Sequence, residues 1–167
     1  AGGALYVMGD AIVDSARFFT NKATEGSGGA VCVLGKKVGI EYAQFSGNSA
    51  GQFGGALHIA SAAQCTVKTV TFLRNGAVNG GGLSVAAGSG GDTLVLSGIQ
   101  FLENSAVVRG GGAYAASAAL FHNCFFSKNS ASMGGGLYST TVCPSLQKCT
   151  FSANAADLDG GGSYAGW

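Results

Sequence analysis

Along the chain, short stretches of alternating apolar and polar residues recur in the same order. One column of apolar or small residues holds Leu5, Val31, Leu57, Leu83, Ala113, Leu137 and Ser163, and a second, two residues on, holds Val7, Val33, Ile59, Val85, Ala115, Ser139 and Ala165. Because strand side chains alternate faces, these columns are predicted to point inward. The residues between them, Tyr6, Cys32, His58, Ser84, Tyr114, Tyr138 and Tyr164, are predicted to point outward. A further apolar column, Val13, Ile40, Val67, Leu96, Phe121 and Leu146, lies five residues before a repeated phenylalanine, and Ala16, Ala43, Val70, Ile99, Cys124 and Cys149 lie two before it. Five is odd, so the alternation changes phase between the two columns, which predicts a bend or bulge there.

The phenylalanines are Phe18, Phe45, Phe72, Phe101, Phe126 and Phe151, each followed three residues later by Asn21, Asn48, Asn75, Asn104, Asn129 or Asn154. The asparagines recur after 27, 27, 29, 25 and 25 residues, a period that belongs to solenoids. A strand of four to six residues with one apolar face does not stand alone, but it pairs with its equivalent in the next repeat. The expected fold is therefore all-β, a parallel β-helix of about six coils, with residues 1–167 as a single repeat domain. Phenylalanine stacks on phenylalanine inside. Asparagine stacks on asparagine at the turn, where it tolerates left-handed backbone angles and its amide both donates and accepts. A helical solenoid would need a 3.6-residue period that glycine triplets oppose, and an antiparallel sandwich would show turn signals every 8–12 residues.

Composition agrees. The 30 glycines are periodic rather than linker-like and suit corners that need positive φ or close approach. A net charge of +1, with no basic run, argues against nucleic acid or an anionic membrane as partner. No apolar run reaches the roughly 20 residues of a spanning helix. The first residues, AGGALYV, read as repeat rather than secretion signal.

The glycine column reads GGAL at 2–5, GGAV at 28–31 and GGAL at 54–57, then GGGL at 80–83, GGGA at 110–113, GGGL at 134–137 and GGGS at 160–163. With the FxxN half present six times, the chain resembles the GGA[ILV]/FxxN repeats of chlamydial polymorphic membrane proteins. The resemblance implies a right-handed β-helical passenger of a secreted, surface-exposed, autotransporter-type adhesin. The resemblance equally implies, as an alternative, a large extracellular or cell-wall protein of another microbe.

Candidate chemistry is sparse. Glycoside cleavage usually uses two carboxylates about 5–10 Å apart, yet the outward column between the first two apolar columns contains no Asp, Glu, Arg or Lys. Another column reads Asp14, Glu41, Lys68, Ser97, His122 and Gln147, in which Glu41 and Lys68 are expected to form a solvated cross-strand pair. Asp157 and Asp159 are expected in a turn as structural residues, and His58 and His122 as surface residues. No cofactor or metal site is expected.

Cys124 and Cys149 occupy equivalent positions on adjacent coils. They form either a ladder of buried thiols or an inter-coil disulfide, and Cys149 has Cys143 as an alternative partner across a loop. Tyr114, Tyr138 and Tyr164 form a strip that either supports neighbouring coils or contacts a sugar or protein.

The two ends lie in the same phase of the repeat, so the chain is expected to be a segment of a longer repeat protein or a filament subunit associating end to end. The leading expectation is a non-catalytic extracellular structural or adhesive unit: a stalk, fibre or surface adhesin, with a glycan or host cell-surface protein as partner. The alternative is a carbohydrate-binding or polysaccharide-degrading β-helix, with chemistry in loops such as residues 86–93.

Overall fold

The computed structural model describes residues 2–35, 37–60, 64–86, 94–140 and 144–165. It is an all-β parallel solenoid of about six turns. Among the described residues each coil passes in order through four parallel sheets. Sheet A runs from Leu5–Val7 to Ser163–Ala165 (seven strands) and sheet B from Ala11–Asp14 to Ser145–Gln147 (six). Sheet C runs from Arg17–Phe19 to Thr150–Ser152 and sheet D from Lys22–Ala23 to Ala155–Asp159, six strands each. Every ladder pairs equivalent repeat positions: Leu5 with Val31, Val13 with Ile40, Phe45 with Phe72.

The interior follows from this register. Strand pairing sets neighbouring coils about 4.8 Å apart, so a phenylalanine repeated at one position must lie over its neighbour. Centroids from Phe18 to Phe151 are 4.9, 5.1, 5.2, 4.6 and 4.6 Å apart, with planes within 13° of parallel. Phe45, Phe72, Phe101 and Phe126 are fully buried. Such ring pairs contribute about 0.5–1.5 kcal/mol each beyond their area. Phe121 of sheet B meets Phe126 at 57°, closing the core from the adjoining wall.

Beside the rings runs the asparagine ladder. Asn104 Oδ1 accepts from the backbone N–H and the amide of Asn75, both at 3.0 Å. Its Nδ2 donates to Asn129 Oδ1 at 3.0 Å and to the Phe72 carbonyl at 2.9 Å. Both lone pairs and both hydrogens are thereby used at a site with no solvent exposure. Asn48, Asn75 and Asn129 repeat the pattern.

The corners differ from the sequence reading in one respect. The asparagine is not the left-handed residue; the one before it is. Thr20, Gly47, Arg74, Glu103, Lys128 and Ala153, at the corner between sheets C and D, have φ between 53° and 66°. The asparagine stays out of that region because its side chain must point inward to the ladder. The phase change predicted before phenylalanine is a second left-handed corner, between B and C, at Ser15, Tyr42, Thr69, Gly98, Asn123 and Lys148.

Sheet D was not anticipated. Its inward residues are alanines two places after each asparagine: Ala23, Ala50, Ala77, Ala106, Ala131 and Ala156. Asp157 and Asp159 lie on its last strand, not in a turn. Glu41 and Lys68 pair at 3.7 Å with both side chains exposed, a contact worth about 0.2–1 kcal/mol.

Two stability measurements check this account. Asn104→Ala strands the Asn75 N–H and the Phe72 carbonyl, and should lower unfolding free energy in denaturant by ~4 kcal/mol; a loss below ~1 kcal/mol would contradict the ladder's role. Thr69, a β-branched residue at φ 51°, occupies the column that Gly98 fills without strain. Thr69→Gly should therefore raise the unfolding free energy in denaturant by ~1 kcal/mol, and Gly98→Thr lower it by a similar amount.

Candidate functional site

The third corner, from sheet D to sheet A, is tighter than the other two. At Gly54, with φ 63°, an added Cβ would lie 2.2 Å from the Leu57 carbonyl oxygen, so glycine is required by contact as well as by φ. The turn sets the last residues of sheet D beside the outer face of sheet A. The residues preceding the corner glycines, Phe53, Asn79, Arg109, Met133 and Asp159, pair successively from coil to coil. Next to them, Cys32, His58, Ser84, Tyr114, Tyr138 and Tyr164 pair in register down sheet A.

The two columns interlock. Tyr114, Tyr138 and Tyr164 stack with centroids 5.8 and 5.1 Å apart and planes within 17°, and the Arg109 guanidinium lies 5.3 Å from the Tyr138 ring centre. Phe53 reaches across Ser84 to both sides, 5.7 Å from His58 and 5.9 Å from Tyr114. Because serine is small, the aromatic ladder is interrupted there by a hollow of about 220 Å³ lined by Phe53, His58, Ser84, Ala86, Tyr114 and Ala116.

This geometry corrects the placement of His58. It is not a surface residue but only 9% exposed, and Cys32, Ser84 and Tyr138 in the same column are buried too. Alternation correctly placed the column outside the coil. The residues at the D/A corner then cover it, most directly Phe53 over His58. Burial pulls the His58 pKa down to about 4 and pushes the Tyr114 hydroxyl upward. Four buried polar atoms at this corner have no hydrogen-bond partner: His58 Nδ1, Ser84 Oγ, Asn79 Oδ1 and Arg109 Nε.

The remaining sequence candidates are distributed elsewhere. The phenylalanine and asparagine ladders lie inside and hold the coils together. Cys124 and Cys149 are free thiols, so the disulfide alternative between them is not the arrangement formed. Each donates instead to a backbone carbonyl, Cys124 to Leu96 at 3.5 Å and Cys149 to Phe121 at 3.3 Å. Burial pushes the Cys124 thiol up to about 12, which makes it a poor nucleophile at neutral pH. Cys143, and the loop candidate 86–93 apart from Ala86, lie outside the described residues.

Among the described residues no three His, Cys, Asp or Glu side chains converge as a metal site. A wider hollow of about 520 Å³ along the B/C corner, bounded by residues such as Ser15, Arg17, Tyr42 and Gln44, contains none of the unpartnered buried atoms. Phe53, Asn79 and Arg109 were missed from sequence. The signal available was their shared position, one residue before each corner glycine.

Residues 43–60 match the family model described as the Chlamydia polymorphic membrane protein repeat. The matched stretch runs through Phe45, Asn48 and the 54–57 glycine motif and takes in both Phe53 and His58. No curated protein and no solved structure matches the chain.

The buried histidine gives a pH test. Unfolded, it titrates near 6.5; folded, near 4. The unfolded chain therefore binds more protons within that window, and His58's contribution to stability, complete above about 6.5, declines as pH falls to about 4, by up to ~3 kcal/mol. Thermal melts across this range should show His58→Gln losing less stability on acidification than the parent. Identical pH profiles would contradict the burial.

Proposed function

We propose that this chain, a β-solenoid repeat protein of the polymorphic membrane protein type, is a non-catalytic structural and adhesive unit displayed outside the cell. Its contact surface is the D/A corner. The observation that carries the reading is the tyrosine strip: three stacked rings, Tyr138 buried between the half-buried Tyr114 and Tyr164, with Arg109 against them. The stack presents ring edges and hydroxyls already held in place, and tyrosine brings large contact area to sugars and protein surfaces at little cost in side-chain freedom.

The non-catalytic reading rests on the outer face of sheet A, where the column from Cys32 to Tyr164 carries no aspartate, glutamate, lysine or arginine. The partners proposed are a glycan or cell-surface protein at the corner, and further coils stacked on the outermost strands, from the same chain or a second copy.

Binding to cells or to an immobilised glycan panel tests the reading. The triple variant Tyr114→Ser, Tyr138→Ser, Tyr164→Ser should lose at least about tenfold in affinity, while Ile12→Ser on sheet B, a highly exposed site, should change nothing. A triple variant that keeps its β-sheet circular dichroism and its full binding would overturn it.

A further inference from the structure

The hollow interrupting the aromatic ladder is built differently from the rest of the surface. Its walls are the rings of Phe53 and Tyr114 and the methyl groups of Ala86 and Ala116, and its polar groups are His58 and Ser84, partners in register on adjacent coils. No lysine, arginine, aspartate or glutamate lines it. Ser84 is fully buried and His58 is more than nine-tenths buried, yet Ser84 Oγ and His58 Nδ1 have no hydrogen-bond partner. Leaving such groups unmade is costly, and few native positions do so without a reason.

A ligand for this place must have an apolar face for the aromatic walls and polar groups for the two buried atoms. A purely apolar molecule would leave both atoms unmade. An anion or cation would enter without a counter-charge. A hydroxyl meets either atom whichever tautomer the histidine adopts, since it donates and accepts. Two neighbouring hydroxyls on one ring can serve two groups that sit one strand spacing apart. The volume is below the 300–1,000 Å³ of drug-sized pockets, which leaves room for one ring rather than an oligomer.

We propose that this hollow binds a single neutral pyranose unit, its ring face against Tyr114 and adjacent hydroxyls on Ser84 Oγ and His58 Nδ1. Both polar atoms are closed to solvent and the Phe53 ring spans from His58 to Tyr114, so the sugar displaces that ring, and the closed and open arrangements compete. The proposal rests on reading the D/A corner as a contact surface and supplies that surface with a chemical class of ligand.

The test is an NMR titration of the full chain with methyl glucoside, methyl galactoside, methyl mannoside and N-acetylglucosamine, each to about 50 mM, which covers millimolar affinities. At least one should give saturable shifts centred on His58, Ser84 and Tyr114. Ser84→Ala removes the hydroxyl and adds no bulk to the hollow. It should weaken binding at least about tenfold without lowering the melting temperature, because an unpartnered buried hydroxyl contributes no stability. Phe53→Ala removes the closed arrangement and should tighten binding several-fold, since apparent affinity scales with the open fraction.

No saturable shift with any of the four sugars, binding unaffected by Ser84→Ala, or preferential binding of glucuronate would each overturn the site. If the tyrosine triple variant loses adhesion while this titration is negative, only the sugar site fails. If the titration succeeds but adhesion ignores the corner, only the adhesive reading fails.

Discussion

Parallel, in-register stacking at one strand spacing is the constraint from which the rest of the molecule follows. Among the described residues it lets buried side chains find partners in the adjoining coils, most directly in the equivalent residue above or below. Asparagine finds such partners in full. Its amide has two hydrogens and two lone pairs, and the ladder uses all four between one coil's backbone and the next coil's side chain. Phenylalanine finds them differently. Aromatic pairs prefer offset or edge-to-face contact, yet here the rings lie nearly parallel because strand spacing places them so. The backbone sets the ring geometry, and the dispersion of a continuous stack stabilises the result.

The same constraint explains how the corners tolerate strain. Among the described residues ten non-glycine residues adopt positive φ, at roughly 1–2 kcal/mol each for L residues. They persist at the B/C and C/D corners because ladders on both sides over-determine the backbone, and because the side chains face open space. At the D/A corner no such tolerance exists. A Cβ at Gly28, Gly54, Gly80, Gly110, Gly134 or Gly160 would lie 2.2 to 2.5 Å from the carbonyl oxygen three residues on. The tightness that demands glycine also brings the end of sheet D against the outside of sheet A, and so creates the groove in which Phe53, His58 and the tyrosines meet.

Much of the fold was legible because columns of like residues reveal both register and face. The inward columns of sheets A, B and C, the stacked phenylalanines and asparagines, and the break before phenylalanine all correspond to elements of the structure. Sheet D was harder to see. Its inward residues are alanines, which are depleted in strands and weak as an apolar signal, and only the alanine column betrayed it. The candidate site was legible in part. The tyrosine strip followed from alternation, but the burial of His58 did not. Alternation assigns a side chain to a face, and it is silent on what a neighbouring corner folds across that face. Phe53 reaches His58 and Tyr114 from a different sheet, a tertiary relation that a repeat alignment contains only as an unexplained position before the glycine.

Interior and exterior columns also differ in what they permit. An interior position must suit its own copy in the next coil, which drives each inner column toward one residue type, as in six phenylalanines, six asparagines and six alanines. The columns at the D/A corner escape that rule. They run Phe53, Asn79, Arg109, Met133, Asp159 on one side and His58, Ser84, Tyr114, Tyr138, Tyr164 on the other; His58, Ser84 and Tyr138 are buried and the rest, Asp159 apart, half-buried. Elsewhere on the rod, chemical variety coincides with exposure and costs little. At this corner variety and burial coincide, leaving polar atoms that stacking cannot satisfy. A repeat protein can differentiate one coil from another, without disturbing its core, where the backbone turn itself makes a second, external layer, and the serine between His58 and Tyr114 is where that layer opens.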